Sequence, residues 1–214
     1  MTAAGPRVLG RTGFAVPPVW RPLAADSIGN DAFGDGDFLA LLVGRDALDR
    51  RGEAVVAARL AALGRTRCDL LIADGIDGGD LKAGWPIHRL QRLRERGLCR
   101  FFALRTRDAL EAEWVATHTP VHAVAIDYAP HEMTARYRVF PAADLAGTAV
   151  IAIAHDAADL ALQQATPQIT ASLCATDFAP APPLAVEAAE ALWRSFSATH
   201  PEPPKLKGAH PPEE

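Results

Sequence analysis

Short apolar runs alternate with helix-length segments along most of this chain, and this alternation constrains the fold more than any other feature. Each run is only a few residues long and is apolar throughout, as expected of a strand covered by helices on its outer face and buried inside a sheet or barrel. Such alternation is typical of parallel α/β folds. The predicted strands cover residues 18–23, 38–43, 69–73, 100–104, 123–127, 149–153 and 169–174.

Helical periodicity fills most of the gaps between these runs. A further amphipathic segment follows the last strand, with apolar residues at helical spacing. We expect one domain over residues 1–200 and a disordered tail over residues 201–214, which hold five prolines and little apolar content. The predicted helices cover residues 47–63, 86–96, 108–118, 157–164 and 184–198.

Composition excludes several classes of partner. Hydrophobic residues make up 49% of the 214 residues, enough for one sizeable core. A net charge of −4 gives no electrostatic reason to expect nucleic acid or an anionic membrane as a partner. Cys68, Cys99 and Cys174 are odd in number and have no metal-binding spacing, so we expect buried, reduced thiols in a cytoplasmic protein.

Five segments resemble, in the same order, signature segments of the aldo-keto reductases. The first is similar to that family's N-terminal hairpin, with its Leu-Gly-x-Thr-Gly turn, and the others are similar to its strands four to seven and the turns around them. The resemblance implies a β/α barrel with an N-terminal hairpin. The segments are residues 8–17 (VLGRTGFAVP), 63–72 (LGRTRCDLLI), 94–104 (RERGLCRFFAL), 121–130 (VHAVAIDYAP) and 147–153 (GTAVIAI).

The barrel expected from this resemblance is shortened. Only about 20 residues separate the first predicted strand from residues 38–43, too few for a helix, a second strand and another helix. We therefore expect a TIM-type (β/α) barrel of about seven parallel strands with an N-terminal hairpin. Strands one and three either pair directly or leave an apolar gap that a second subunit covers. We expect a homodimer, formed through this side.

The catalytic residues that the resemblance implies are absent from their expected positions. The family uses an aspartate, a tyrosine acid, a lysine and a histidine. The aspartate and tyrosine follow the second strand, which is missing here. Leu42 and Val43 stand where the lysine should end strand three, and Asp74 stands where the histidine should end strand four.

The cofactor-binding positions of the family are also changed. Arg105 and Thr106 stand in place of a Ser-Asn pair after strand five, and Ala125 stands in place of a glutamine on strand six. Residues 179–183, alternating alanine and proline, replace a glycine followed by basic residues. We therefore expect no cofactor, and NADP only if the family's function survives.

Polar residues at the carboxyl ends of the predicted strands should meet at the barrel mouth, where β/α barrels perform chemistry. Together they could hold a divalent cation, or one carboxylate could act as a general acid. The alternative is that these acids cap helices and form turns. The catalytic candidates are Asp74, Asp127, Tyr128 and His155, and the ligand-binding candidates are Arg105, Asp77 and Asp177.

Three functions remain open on this basis. The first is a catalytically silent relative of the reductases that serves as a binding or partner subunit. The second is an enzyme with a relocated acidic site, with or without a metal ion, at the mouth. The third is a residual NADP-dependent oxidoreductase.

Overall fold

A computed structural model describes residues 6–20, 38–106, 108–128 and 134–174. Its strands are β1 (Arg7–Val8), β2 (Ala15–Val16), β3 (Val19–Trp20), β4 (Ala40–Gly44), β5 (Cys68–Asp74), β6 (Cys99–Thr106), β7 (Ala123–Asp127), β8 (Ala149–Ala154) and β9 (Ala171–Cys174). Its helices are α1 (Arg45–Ala62), α2 (Gly78–Ala83), α3 (Trp85–Glu95), α4 (Ala109–His118), α5 (Phe140–Ala146) and α6 (Ala157–Ala165), and a π-helical turn, Ala135–Val139, leads into α5.

Seven of these strands form one parallel sheet in the order β3-β9-β8-β7-β6-β5-β4. Strands β1 and β2 pair antiparallel as a separate hairpin. The sheet is curled, as shown by a single inner cluster in which side chains from its middle and from both of its edges meet. The predicted seven-stranded, shortened barrel with an N-terminal hairpin is confirmed.

Alternation along each strand divides the apolar side chains into two layers. Leu70 and Ile72 of β5 point into the barrel, whereas Leu71 and Ala73 pack in the outer cluster, between the sheet and the helices. All four are fully buried. Burying a leucine or isoleucine stabilises the fold by about 1.5–3 kcal/mol, so this two-sided burial explains why the strands are apolar throughout.

The hairpin closes the end of the barrel where the strands begin. Leu9 and Val16 are fully buried in the inner cluster. Arg7 donates a hydrogen bond to the carbonyl oxygen of Gln164, 2.8 Å away, which fixes the hairpin to the end of α6. Gly10 has a φ of +50°, and a Cβ there would lie 2.5 Å from the carbonyl oxygen of Gly147. Only glycine fits this position.

Strands β3 and β4 are the two edges of the described sheet. The ring centroid of Trp20, on β3, lies 4.6 Å from that of Phe38, just before β4. Side chains therefore approach each other across the gap although the two strands are not paired. Residues 21–37 lie outside the described part, and the homodimer expected through this side stays a prediction.

Most strand and helix predictions fall within one or two residues of the observed bounds. Two helical regions were not predicted. One is α2, whose Gly78 and Gly79 favour a loop interpretation, and the other is the π-helical turn together with α5. The predicted helix 184–198 and tail 201–214 lie outside the described residues. All three cysteines are buried, as predicted, and none of them forms a disulfide bond. Within the described ranges, no helix combines the length and hydrophobicity needed to cross a membrane.

Candidate functional site

Four polar residues occupy the last inward-facing positions at the carboxyl ends of four neighbouring strands. Asp74 ends β5, Arg105 lies one residue before the end of β6, Asp127 ends β7, and His155 directly follows β8. Each lies two residues, or one strand period, beyond an inward-facing residue, and Asp74 for example follows Ile72 in this way. We call these four residues the mouth network.

Arg105 joins the two carboxylates of the mouth network, and Asp127 joins His155 to them. Arg105 Nη1 lies 3.2 Å from Asp74 Oδ2, and Arg105 Nη2 lies 3.0 Å from Asp127 Oδ1. Asp127 Oδ1 also lies 3.1 Å from His155 Nε2. All four residues lie at the mouth, as their positions in the sequence predict, whereas their pairing with one another was not predicted.

The four side chains of the network differ in solvent exposure. The Arg105 side chain is 16% exposed, those of Asp74 and Asp127 are 22% and 34% exposed, and that of His155 is 56% exposed. Asp74 Oδ1 additionally accepts a hydrogen bond of 2.8 Å from the backbone N–H of Gly75. Charge-assisted hydrogen bonds between partly buried groups of this kind are stronger than neutral ones, and they hold the side chains in place.

The Asp127–His155 pair has the geometry of an oriented base. When Asp127 accepts a hydrogen bond from Nε2–H of the neutral imidazole, Nδ1 carries the lone pair, and no hydrogen bond to His155 Nδ1 is present among the described residues. An exposed imidazole held in this way can accept a proton from a bound molecule. The pair is the one part of the network suited to proton transfer.

The described residues offer no metal site. No group of three or more His, Cys, Asp or Glu side chains in residues 6–20, 38–106, 108–128 and 134–174 is arranged to hold an ion. The physical reason at the mouth is that the guanidinium of Arg105 already lies between the two carboxylates. The candidate ligand Asp177 lies outside the described part of the chain.

Tyr128 does not belong to the mouth network. Because Asp127 faces inward, the next residue faces outward, and Tyr128 is 2% exposed in the outer cluster. Its ring centroid lies 5.2 Å from that of Phe140. The backbone carbonyl of Tyr128 accepts a hydrogen bond of 3.1 Å from the buried amide of Gln163. This placement separates Tyr128 from the other three catalytic candidates, and its catalytic role stays a prediction.

Asp77 caps helix α2. Its Oδ1 accepts a hydrogen bond of 2.9 Å from the backbone N–H of Asp80, and the side chain of Asp80 accepts one from the backbone N–H of Asp77. This reciprocal pair is a capping box. The capping alternative therefore describes Asp77, whereas its proposed role in ligand binding remains untested.

Asp80 is a buried acid whose role the sequence did not suggest. Arg45 Nε and Nη2 donate hydrogen bonds of 2.6 and 2.7 Å to its two oxygens, and Trp85 Nε1 donates one of 3.0 Å. The hydrogen bond from Arg45 is the main reason that the pKa of Asp80 falls to about 2. This group connects the start of α1 to α2 and α3 beside the mouth.

Gly44 occupies the inward position at the end of β4. The strand extends one residue beyond its predicted end. Alternation along it places Leu42 against the inner cluster and Val43 in the outer cluster. Gly44 pairs in register with Asp74, and a Cβ at Gly44 would have no atom within 4 Å. Gly44 therefore holds the last inward position of β4, directly after Leu42 and Val43.

Comparisons with known proteins bear on the fold. A protein of Pseudomonas aeruginosa assigned as an aldo-keto reductase superimposes with a TM-score of 0.63 and 16% identity, covering 91% of this chain and 95% of that chain. A thermostable aldo-keto reductase solved with the inhibitor epalrestat gives a TM-score of 0.60 and 12% identity, covering 90% and 94%. The holo form of an aldo-keto reductase from Bacillus halodurans gives 0.55 and 13%, covering 74% and 71%.

The fold is that of the aldo-keto reductases. No protein-family model matches the sequence, and no curated protein matches it. A fold shared at such low identity does not supply an activity, which depends on the residues at the site. In this fold the mouth network stands at the carboxyl ends of the strands, where barrel enzymes place their chemistry.

Proposed function

We propose that this chain is a degenerate member of the aldo-keto reductase family that has lost NADPH-dependent reduction and acts as a binding or partner subunit. The observation that carries the proposal is the mouth network. Asp74 stands where the family resemblance implies a histidine, and it is paired with Arg105. Leu42 and Val43 stand where the resemblance implies a lysine. The groups at the mouth therefore bind each other in place of a carbonyl substrate.

The inventory of tyrosines and lysines supports the same conclusion. Reduction of a carbonyl by hydride requires a proton donor at the carbonyl oxygen, and loss of such a donor typically costs 10²–10⁴-fold in rate. The sequence contains two tyrosines, Tyr128 and Tyr137, and one lysine before residue 200, Lys82. Tyr128 is in the outer cluster, Tyr137 is on the π-helical turn, and Lys82 is in the last turn of α2. None of them is a member of the mouth network.

Charge at the mouth also disfavours the cofactor. Two carboxylates stand against one guanidinium in the network, so with a neutral histidine it carries a net charge of −1. A nicotinamide dinucleotide phosphate is strongly anionic. Its approach would be opposed by this charge, and insertion of the nicotinamide would also disrupt the ion pairs of Arg105.

Fluorescence titration with NADPH tests the proposal. The four tryptophans of the chain allow energy transfer to bound NADPH, and an active reductase of the same fold assayed in parallel provides the positive control. We expect no saturable signal up to millimolar NADPH and no oxidation of NADPH with a panel of aldehydes and ketones. Saturable binding at micromolar concentration together with carbonyl-dependent oxidation would overturn the proposal.

A second copy of the chain is the partner we favour. Strands β3 and β4 are the edges of a sheet whose strands are apolar on both faces, and such edges are normally covered. The aromatic contact between Trp20 and Phe38 lies on the inner side of this gap. The partner copy would cover the outer side.

A cofactor-independent enzyme is the second candidate function, and the Asp127–His155 pair favours it. An exposed histidine oriented by a carboxylate could activate water or a substrate hydroxyl. Hydrolysis of an activated ester such as p-nitrophenyl acetate tests this alternative. Loss of turnover in His155→Ala and in Asp127→Asn, with turnover retained in His118→Ala, would favour it. Equal rates in all three variants would exclude it for this substrate class.

A further inference from the structure

A basic cavity lies at the opposite end of the barrel from the mouth, where strands β5 and β6 begin. Its volume is about 530 Å³, within the range of about 300–1,000 Å³ of small-molecule sites. It is formed by the loop from α1 to β5 and the loop from α3 to β6. The lining residues are Arg65, Thr66, Arg67, Asp69, Arg96 and Gly97.

The topology explains why these arginines converge. Strands β5 and β6 are neighbours and pair in register from Cys68 and Cys99 onward. The loops that precede the two strands therefore lie side by side. Gly64 and Gly97 have φ values of +65° and +75°, so both helices end in a left-handed glycine turn. The residues on either side of these turns face the same space.

Charge in the cavity is of one dominant sign. Three guanidiniums stand against one carboxylate, in a chain whose net charge is −4. That carboxylate, Asp69, is engaged in the fold, because its Oδ2 accepts a hydrogen bond of 2.9 Å from the backbone N–H of Leu39. Arg96 is 59% exposed, and its contact with Glu53 spans 3.9 Å, so it can turn toward a ligand at little cost.

We infer that this cavity binds a small molecule bearing a phosphate or pyrophosphate group. Guanidinium groups bind phosphate oxygens through two parallel hydrogen bonds, and several arginines around one open cavity match a multiply charged anion better than a single carboxylate. The site lies on the face of the barrel that does not perform chemistry in β/α enzymes, so it is a binding site separate from the mouth. The inference does not depend on the function proposed above.

Isothermal titration calorimetry of the full chain with sodium pyrophosphate tests the inference at 150 mM salt. Inorganic phosphate and ribose 5-phosphate distinguish a bare anion from a phosphate ester, and a heparin oligosaccharide serves as the macromolecular polyanion. We expect saturable binding of pyrophosphate or the ester. Arg67→Gln and Arg96→Gln should each weaken it by about tenfold, as expected for loss of one charged hydrogen-bonding group.

Arg89→Gln is the matched control, because Arg89 lies on the same helix two turns before Arg96 and does not line the cavity. It should leave the affinity unchanged, and circular dichroism should show that all three variants are folded. Absence of binding of both pyrophosphate and ribose 5-phosphate at 10 mM would overturn the inference. Equal weakening by all three substitutions, or binding of heparin alone, would also overturn it, because either result indicates a diffuse basic surface.

Discussion

Replacing Arg105 by methionine removes the cation that joins Asp74 to Asp127 at the mouth. Methionine keeps an apolar stem of similar length, so the substitution tests charge and hydrogen bonding more than packing. A hydrogen bond to a charged, buried group contributes about 1.5–3 kcal/mol, and an exposed ion pair contributes about 0–1 kcal/mol. Asp74 and Asp127 are 22% and 34% exposed, between these limits. We assign about 1 kcal/mol to each contact and expect a total loss of about 2 kcal/mol.

Urea unfolding at pH 7, followed by tryptophan fluorescence, measures this loss. The unfolding midpoint of Arg105→Met should fall while the m-value stays constant, since the surface exposed on unfolding is unchanged. A loss of 2 kcal/mol corresponds to about a 30-fold shift in the folding equilibrium. Because the pairs are partly buried, 1 M NaCl should reduce the difference only in part.

Arg89→Met is the control for this measurement, because Arg89 is exposed on α3. It should change the free energy of unfolding by less than about 0.5 kcal/mol. The double variant Asp74→Asn, Arg105→Met should be less destabilised than the sum of the two single variants. The account of the network would be refuted if Arg105→Met were as stable as the native chain, or if Arg89→Met lost as much.

Three further predictions concern the fold and its assembly. Since the pKa of Asp80 is lowered to about 2, its stabilising contribution is complete above the ordinary value of 3.8 and is lost as the pH falls toward 2. In urea titrations, the stability difference between the native chain and Asp80→Asn should therefore be constant above about pH 5 and shrink below pH 4. A difference that stays constant down to pH 2 would contradict this assignment. In the same assay, Gly10→Ala should lower the free energy of unfolding by about 2–4 kcal/mol, because the new Cβ combines a positive φ with a clash. Gly13→Ala, at a φ of +71° with open space around it, should lower it by about 1 kcal/mol. Equal losses in the two variants would show that the close contact at Gly10 has no effect. Light scattering at micromolar concentration should give twice the mass of the chain if the β3–β4 side pairs with a second copy, and a single-chain mass would reject the dimer.

The period of two along each strand made the inward mouth positions predictable. Asp74, Arg105, Asp127 and His155 follow apolar runs whose alternate residues face the barrel interior, so their convergence could be predicted from the sequence. The same alternation could also have placed Tyr128 on the outward side of the strand, because a residue next to an inward aspartate faces outward. The pairing within the network depends on side-chain conformations across four strands, and no sequence pattern encodes them.

Helix α2 illustrates a sequence signal that was present but not used. Asp77 and Asp80 have the spacing of a capping box, whereas the sequence analysis named Asp77 only as a ligand-binding candidate. The glycines between them weaken helical propensity, and tertiary contacts compensate for this. The partner of Asp80 is Arg45, which lies 35 residues away in the sequence. A contact between residues so far apart could not be inferred before the register of β4 and β5 was known.

A crystal structure grown with millimolar NADP⁺ tests the central claim most directly, because it shows what occupies the mouth. We expect Arg105 to remain within about 3 Å of Asp74 and Asp127, a hydrogen-bonding distance, with no nicotinamide ring beside them. A nicotinamide seated at the carboxyl ends of the strands, with Arg105 displaced from both carboxylates, would contradict the account.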